Sequence, residues 1–140
     1  MRIAAEDARF SIPAAKLGLG YGHEGLKKLV DVVGPAYAKE IFFTARLFSA
    51  SEAMGMGLIN RTVPTNVLDE YIADYCQTLA QNAPLTIKSV KQIIAQIIDN
   101  DNPTDINFCN QLVKDCYASE DYIEGRKAFM EKRKPVFKGR

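Results

Sequence analysis

The spacing of apolar positions changes near residue 64, and that change organises the chain. Before it, apolar runs are short and punctuated by glycine and proline. Arg2-Ile3-Ala4-Ala5 and Arg9-Phe10-Ser11-Ile12 read as short strands on either side of the polar turn Glu6-Asp7. A glycine-punctuated stretch follows over residues 13–25. Leu26, Leu29, Val30 and Val33 recur at helical spacing, and Gly34-Pro35 ends that helix. Residues 36–45 fit a helix or a buried strand equally well on pattern. Ser49-Ala50-Ser51-Glu52 is a capping box, so a short helix is expected through Met56 with a stop at Gly57. Leu58-Ile59-Asn60-Arg61-Thr62-Val63 reads as a strand closed by Pro64.

Beyond Pro64 only helical stripes remain. Val67, Leu68, Tyr71, Ile72, Tyr75, Cys76 and Leu79 form the first. Ile87, Val90, Ile94, Ile97 and Ile98 form the second, with Pro84 at its start. Ile106, Cys109, Leu112, Val113, Cys116 and Tyr117 form the third. Tyr122, Ile123, Phe129 and Met130 form the fourth, behind Ser119 as its N-cap. Such stripes must be buried against one another or against a partner.

Composition narrows the classes. At 140 residues with 47% hydrophobic and 25% charged side chains, the chain is a globular protein rather than a disordered or fibrous one. Its net charge of +1 suggests no nucleic-acid partner. No apolar run reaches the length of a membrane span, and the N-terminus does not read as a secretory signal. Three cysteines without metal-ligand spacing fit a reducing, cytoplasm-like compartment and no metal site. The charge is uneven: residues 124–140 carry seven basic side chains against two acidic ones, a basic end suited to an anion or to solvent.

Candidate chemistry concentrates in two places. Gly20-Tyr21-Gly22-His23-Glu24-Gly25 matches the G-x-G-x-x-G dinucleotide fingerprint and opens a helix, where backbone N–H groups favour an anion. A dinucleotide fold needs a strand before this loop and another near residues 39–45, after which Arg46 would meet a 2′-phosphate. Residues 12–17 contain a proline and no β-branched run, which counts against that strand. The alternative use is an acyl-thioester site, with Tyr21, His23 and Glu24 as the clustered proton-transferring groups; the competing reading leaves Tyr21 packed and His23 and Glu24 solvated. At the other end, Phe129 falls one helical turn before Lys132 in a continued helix. An aromatic beside a cation suits a nucleotide.

Several motifs together resemble the second half of the crotonase (enoyl-CoA hydratase/isomerase) family. They are Arg9-Phe10-Ser11-Ile12-Pro13-Ala14-Ala15-Lys16-Leu17-Gly18, Gly22-x-x-Gly25, Ala38-Lys39-Glu40-Ile41-Phe42-Phe43-Thr44-Ala45, and Ser49-Ala50-x-x-Ala53-x-x-x-Gly57-Leu58-Ile59-Asn60-Arg61-x-Val63-Pro64. The ending Glu124-Gly125-Arg126-Lys127-Ala128-Phe129-Met130-Glu131-Lys132-Arg133 completes the set. The resemblance implies an α/β fold: the end of a ββα spiral core over residues 1–65, then a helical oligomerisation region over 66–140. It makes residues 36–45 a helix. It further implies an acyl-CoA thioester as substrate, coenzyme A entering as part of it rather than as a separate cofactor, and enolate-type chemistry. Homotrimers or hexamers are implied, in which one subunit's last helix reaches a neighbour's CoA.

By motif position, Phe129 and Lys132 match the residues that touch the adenine and its phosphate. In the family's hydratases a glutamate follows F-x-x-P; here Ala14 stands there, and a methyl group can neither give nor take a proton. The second hydratase glutamate and the oxyanion-hole segments belong to the family's first half, expected before Met1, so residues 1–140 alone are expected to lack hydratase activity. A decarboxylase-like branch carries a tyrosine matching Tyr21, which makes Tyr21, with Glu24 second, the candidate to orient or protonate substrate. A noncatalytic oligomerisation or CoA-binding module is the reading from another class.

Overall fold

The computed structural model describes residues 1–99 and 102–140, and the chain divides into two compact units, Met1–Ala73 and Asp74–Arg140. In the first unit, β1 (Ile3–Ala5) pairs in parallel with β4 (Arg61–Val63), with Ile3 opposite Arg61 and Ala5 opposite Val63. Asn60 locks this register from outside the ladder. Its side-chain oxygen accepts the Arg2 N–H at 2.7 Å, and its own N–H donates to the Arg2 carbonyl at 2.8 Å. A second pair, β2 (Arg9–Phe10) against β3 (Phe48–Ser49), is antiparallel. Both sequence-expected strands at 9–12 and 58–63 are shorter than their apolar runs, because residues 11–12 and 58–60 have no ladder partner.

Helices fill the space between these strands. The four-residue α1 (Ala14–Leu17) interrupts the glycine-rich stretch that the sequence left irregular. It is followed by α2 (His23–Thr44), whose two halves meet at Gly34 with φ 75° and ψ 165°. That backbone state is open almost only to glycine, and Pro35 behind it disfavours a helical residue at 34. Residues 36–44 are therefore helical, not a strand, and α2 closes on the left-handed Ala45. The capping box forms as expected: the Ser49 hydroxyl accepts from the Glu52 N–H and the Glu52 carboxylate from the Ser49 N–H, opening α3 (Ala50–Gly55). Val33, Ala38, Ile41, Phe48 and Met56 form the main core of this unit, with Ala50, Ala53 and Ile59 as a second cluster.

A 3-10 turn at Thr65–Val67 leads into α4 (Leu68–Ala80). The second unit contains α5 (Pro84–Ile98), α6 (Ile106–Ala118) and α7 (Glu120–Met130), matching the second, third and fourth stripes. Ser119 caps α7 as expected, its hydroxyl accepting from the Tyr122 N–H at 3.1 Å. The stripes are only partly covered: Val90, Ile94, Ile97, Tyr117 and Ile123 all remain exposed. No helix among the described residues is long and apolar enough to cross a membrane.

Gly34 supports one stability prediction. A Cβ at this position would meet no atom within 4 Å, so any cost of Gly34→Ala comes from the backbone alone. Denaturant unfolding should show a loss of about 2 kcal/mol. A variant as stable as the parent would contradict the break in α2.

Candidate functional site

The glycine-rich turn belongs to the first unit. Ala14 opens α1 at only 5% exposure, and its carbonyl accepts the N–H groups of Gly18 and Leu19. Its methyl thus occupies an enclosed position, with no ionisable group at that residue. Tyr21 precedes α2 and packs edge-on against Phe42, ring centroids 4.8 Å apart, while remaining 49% exposed. Among the described residues its hydroxyl has no hydrogen-bond partner, so a phenolic O–H is held on a packed ring with its polar end open. His23 and Glu24 begin α2, are exposed and form no ion pair among the described residues. Glu24 sits in the first turn, where a carboxylate complements the helix dipole.

The dinucleotide reading fails on this geometry. The segment before the loop is α1 and residues 39–44 are helical, so neither required strand exists. Arg46 is already engaged. It forms ion pairs with Glu40 at 2.9 Å and Glu52 at 2.8 Å, and its guanidinium lies 3.8 Å from the centre of the Phe48 ring. Asp31, on the first half of α2, pairs with Lys27 at 2.8 Å.

Phe129 and Lys132 belong to the second unit. Phe129 is 83% exposed at the end of α7 and lines an apolar groove of about 640 Å³ whose walls include Val90, Val113, Tyr117, Tyr122 and Phe137. Lys132 is not on the helix. The pattern had carried α7 through it, but α7 ends at Met130, Glu131 is its C-cap and Lys132 is left-handed at φ 53°. The two residues still adjoin, because the Lys132 N–H donates to the Phe129 carbonyl at 3.3 Å. Among the described residues the Lys132 side chain forms no ion pair.

Residues to which the sequence assigned no role build this end. Asp121, 3% exposed, accepts the N–H groups of Lys138 at 2.6 Å and Gly139 at 2.8 Å. Glu124 accepts both terminal nitrogens of Arg133, at 2.6 and 2.9 Å, and the Val136 N–H at 2.8 Å. The tail thereby folds back along α7. Phe137 packs so close to Gly125 that a Cβ there would lie 3.5 Å from its ring. Asp121 and Glu124 stand three positions apart, which places both carboxylates on one helix face. That spacing was the available signal.

The chain belongs to the enoyl-CoA hydratase/isomerase (crotonase) family, whose model matches residues 1–140. It is 34% identical over 134 residues to a short-chain-enoyl-CoA hydratase of Clostridium acetobutylicum, covering 96% of this chain and 51% of that protein. It is 36% identical over 142 residues to a carnitinyl-CoA dehydratase of Salmonella typhi, covering 99% and 54%. Among solved structures, an enoyl-CoA hydratase/isomerase family protein from Hyphomonas neptunium superposes with a TM-score of 0.88 at 31% identity, covering 100% of this chain and 53% of that one. The enoyl-CoA hydratase of Bacillus anthracis gives 0.83 at 33%, covering 99% and 54%. The chain thus spans about half the length of the relatives it matches. The fold is that of the C-terminal part of a crotonase, as the motifs implied.

The Arg133 guanidinium, with the Val136 N–H second, holds the Glu124 carboxyl down at about 2, from an ordinary 4.5. A carboxylate depressed by folding stabilises the tail above its unfolded pKa, and that stabilisation disappears as pH falls through about 2. The Val136 amide resonance should therefore titrate with a midpoint of about 2. A midpoint near 4.5 would show that Glu124 does not hold this amide.

Proposed function

We propose that this chain supplies the CoA-recognising and assembly part of an acyl-CoA site, working on a thioester through an enolate in the assembled enzyme. The observation that carries the reading is the end of α7, where an exposed aromatic and a lysine with no ion pair among the described residues share one hydrogen-bonded turn. Phe129 packs on the adenine and Lys132 meets the phosphate, so coenzyme A is bound as part of the substrate and no separate cofactor or metal is required. The exposed stripes of α5, α6 and α7 are the surfaces that join subunits into trimers or hexamers.

Tyr21 is the catalytic candidate in this half, orienting or protonating substrate through its O–H, with Glu24 second. Ala14 removes the carboxyl that two-glutamate hydration needs at this position. This favours a tyrosine-dependent, decarboxylase-like reaction over water addition. The same alanine supports a second reading, in which the chain binds CoA and assembles without catalysing anything.

Calorimetry of the 140-residue chain with CoA should give saturable heat, and Lys132→Ala should weaken binding about fivefold, the scale of one exposed ion pair. Unchanged affinity in that variant would remove α7 from the site. The chain should leave crotonyl-CoA unhydrated. Hydration that is lost in Tyr21→Phe would overturn the account of Ala14.

A further inference from the structure

The turn that ends α7 has the geometry of a glycine-terminated helix, yet a lysine occupies the glycine position. The Arg133 N–H donates to the Ala128 carbonyl at 3.0 Å and the Lys132 N–H to the Phe129 carbonyl at 3.3 Å, the paired bonds of a Schellman turn. Its left-handed residue is normally glycine, because a Cβ in that conformation crowds the next carbonyl. Lys132, at φ 53°, carries that crowding. Such a state persists where neighbouring structure over-determines it.

Here the neighbouring structure is a ring of carboxylates. Arg133, the next residue, has all three guanidinium nitrogens engaged: Nε with Glu131 at 2.7 Å, Nη1 and Nη2 with Glu124 at 2.6 and 2.9 Å. Glu124 also holds the Val136 amide, and Asp121 those of Lys138 and Gly139, so the chain after Lys132 is tied down at four successive places. Lys132 is thus fixed on one side by the helix and on the other by Arg133. The same acids decide which cation is available: Arg133 is neutralised by two carboxylates, while Lys132, one residue away, has no ion-pair partner among the described residues.

We propose that Glu124 is a positioning residue for anion recognition at this site. It neutralises Arg133 and uses it as an anchor that keeps Lys132 left-handed, with its ammonium directed to the CoA phosphate. Glu124 itself does not touch the ligand. This inference rests on the reading of Lys132 as the phosphate-binding cation and extends it to the residue that selects and holds that cation.

The test compares CoA with dephospho-CoA, which lacks only the phosphate on the adenosine ribose, by calorimetry on the full 140-residue chain. The parent should bind CoA about fivefold more tightly than dephospho-CoA, and Lys132→Ala should bring that ratio to about one. Glu124→Gln should lower the ratio to about the same value. General loosening of the fold would weaken both ligands together and leave the ratio intact, so the ratio separates positioning from mere stability. Lys132→Gly should also lose the ratio, yet melt no lower than the parent because the crowding is gone. Should Glu124→Gln retain the ratio while Lys132→Ala loses it, the positioning role is wrong and the phosphate contact stands. A ratio maintained or raised through a liberated Arg133 would also overturn it, as would a Lys132→Gly variant that melts lower. Absence of CoA binding by the parent chain overturns both readings.

Discussion

Backbone N–H groups that lie outside a helix or sheet still need an acceptor, and Val136, Lys138 and Gly139 find theirs in two carboxylates of α7. Asp121 and Glu124 accept three main-chain amides between them, and Glu124 holds Arg133 as well. Hydrogen bonds to ionised oxygens are roughly twice as strong as neutral ones, and an amide left unpaired at the buried Asp121 would cost about 1–3 kcal/mol. Everything at this end follows from that capture. It lays Phe137 against Gly125 as one wall of the apolar groove and fixes the left-handed turn at Lys132. It also converts a segment with a surplus of positive charge into one where particular cations are neutralised and others remain available.

The first unit solves a similar problem with fewer residues. Its strands are two or three residues long, so the ladders alone cannot define register, and side chains complete them. Asn60 bridges to Arg2 at one edge. Arg46 ties the end of α2 to the start of α3 through Glu40 and Glu52 while covering the Phe48 ring. Glu52 then has two duties, in the capping box and in the ion pair, and both hold its carboxyl below the usual range. On this frame Tyr21 is braced by Phe42, which leaves its hydroxyl open beside the exposed His23 and Glu24.

What was legible in the sequence was what depends on neighbours a few residues away. The capping box at Ser49 and Glu52, the proline start of α5 and the Ser119 cap are local hydrogen-bond or φ constraints, and each formed where its residues stood. Residues 36–45 were ambiguous because a short apolar run fits helix and strand alike; the family motifs resolved it as helix, and the structure makes it one through Thr44 with Ala45 as the cap. Helix α1 escaped notice because a single turn among glycines leaves no periodicity. The end of α7 was misjudged for a different reason. Its left-handed position carries lysine instead of glycine, so the usual stop signal is missing. The tail was invisible because its amides meet carboxylates 12 to 18 residues earlier in the chain.

Family membership and local geometry bear on the function differently. Membership covers the whole chain, while the turn that ends α7 is read from this chain's own hydrogen bonds. The C-terminal turn is where the proposed CoA contact can be examined without reference to turnover. The most direct measurement is a CoA titration of the isotopically labelled chain followed by amide NMR. The account predicts saturable shifts concentrated at Phe129 and Lys132, with the neighbouring tail amides of Val136 and Lys138 retaining their hydrogen-bonded positions. Saturation that leaves the Phe129 and Lys132 signals unmoved, or the absence of any saturable shift, would contradict it.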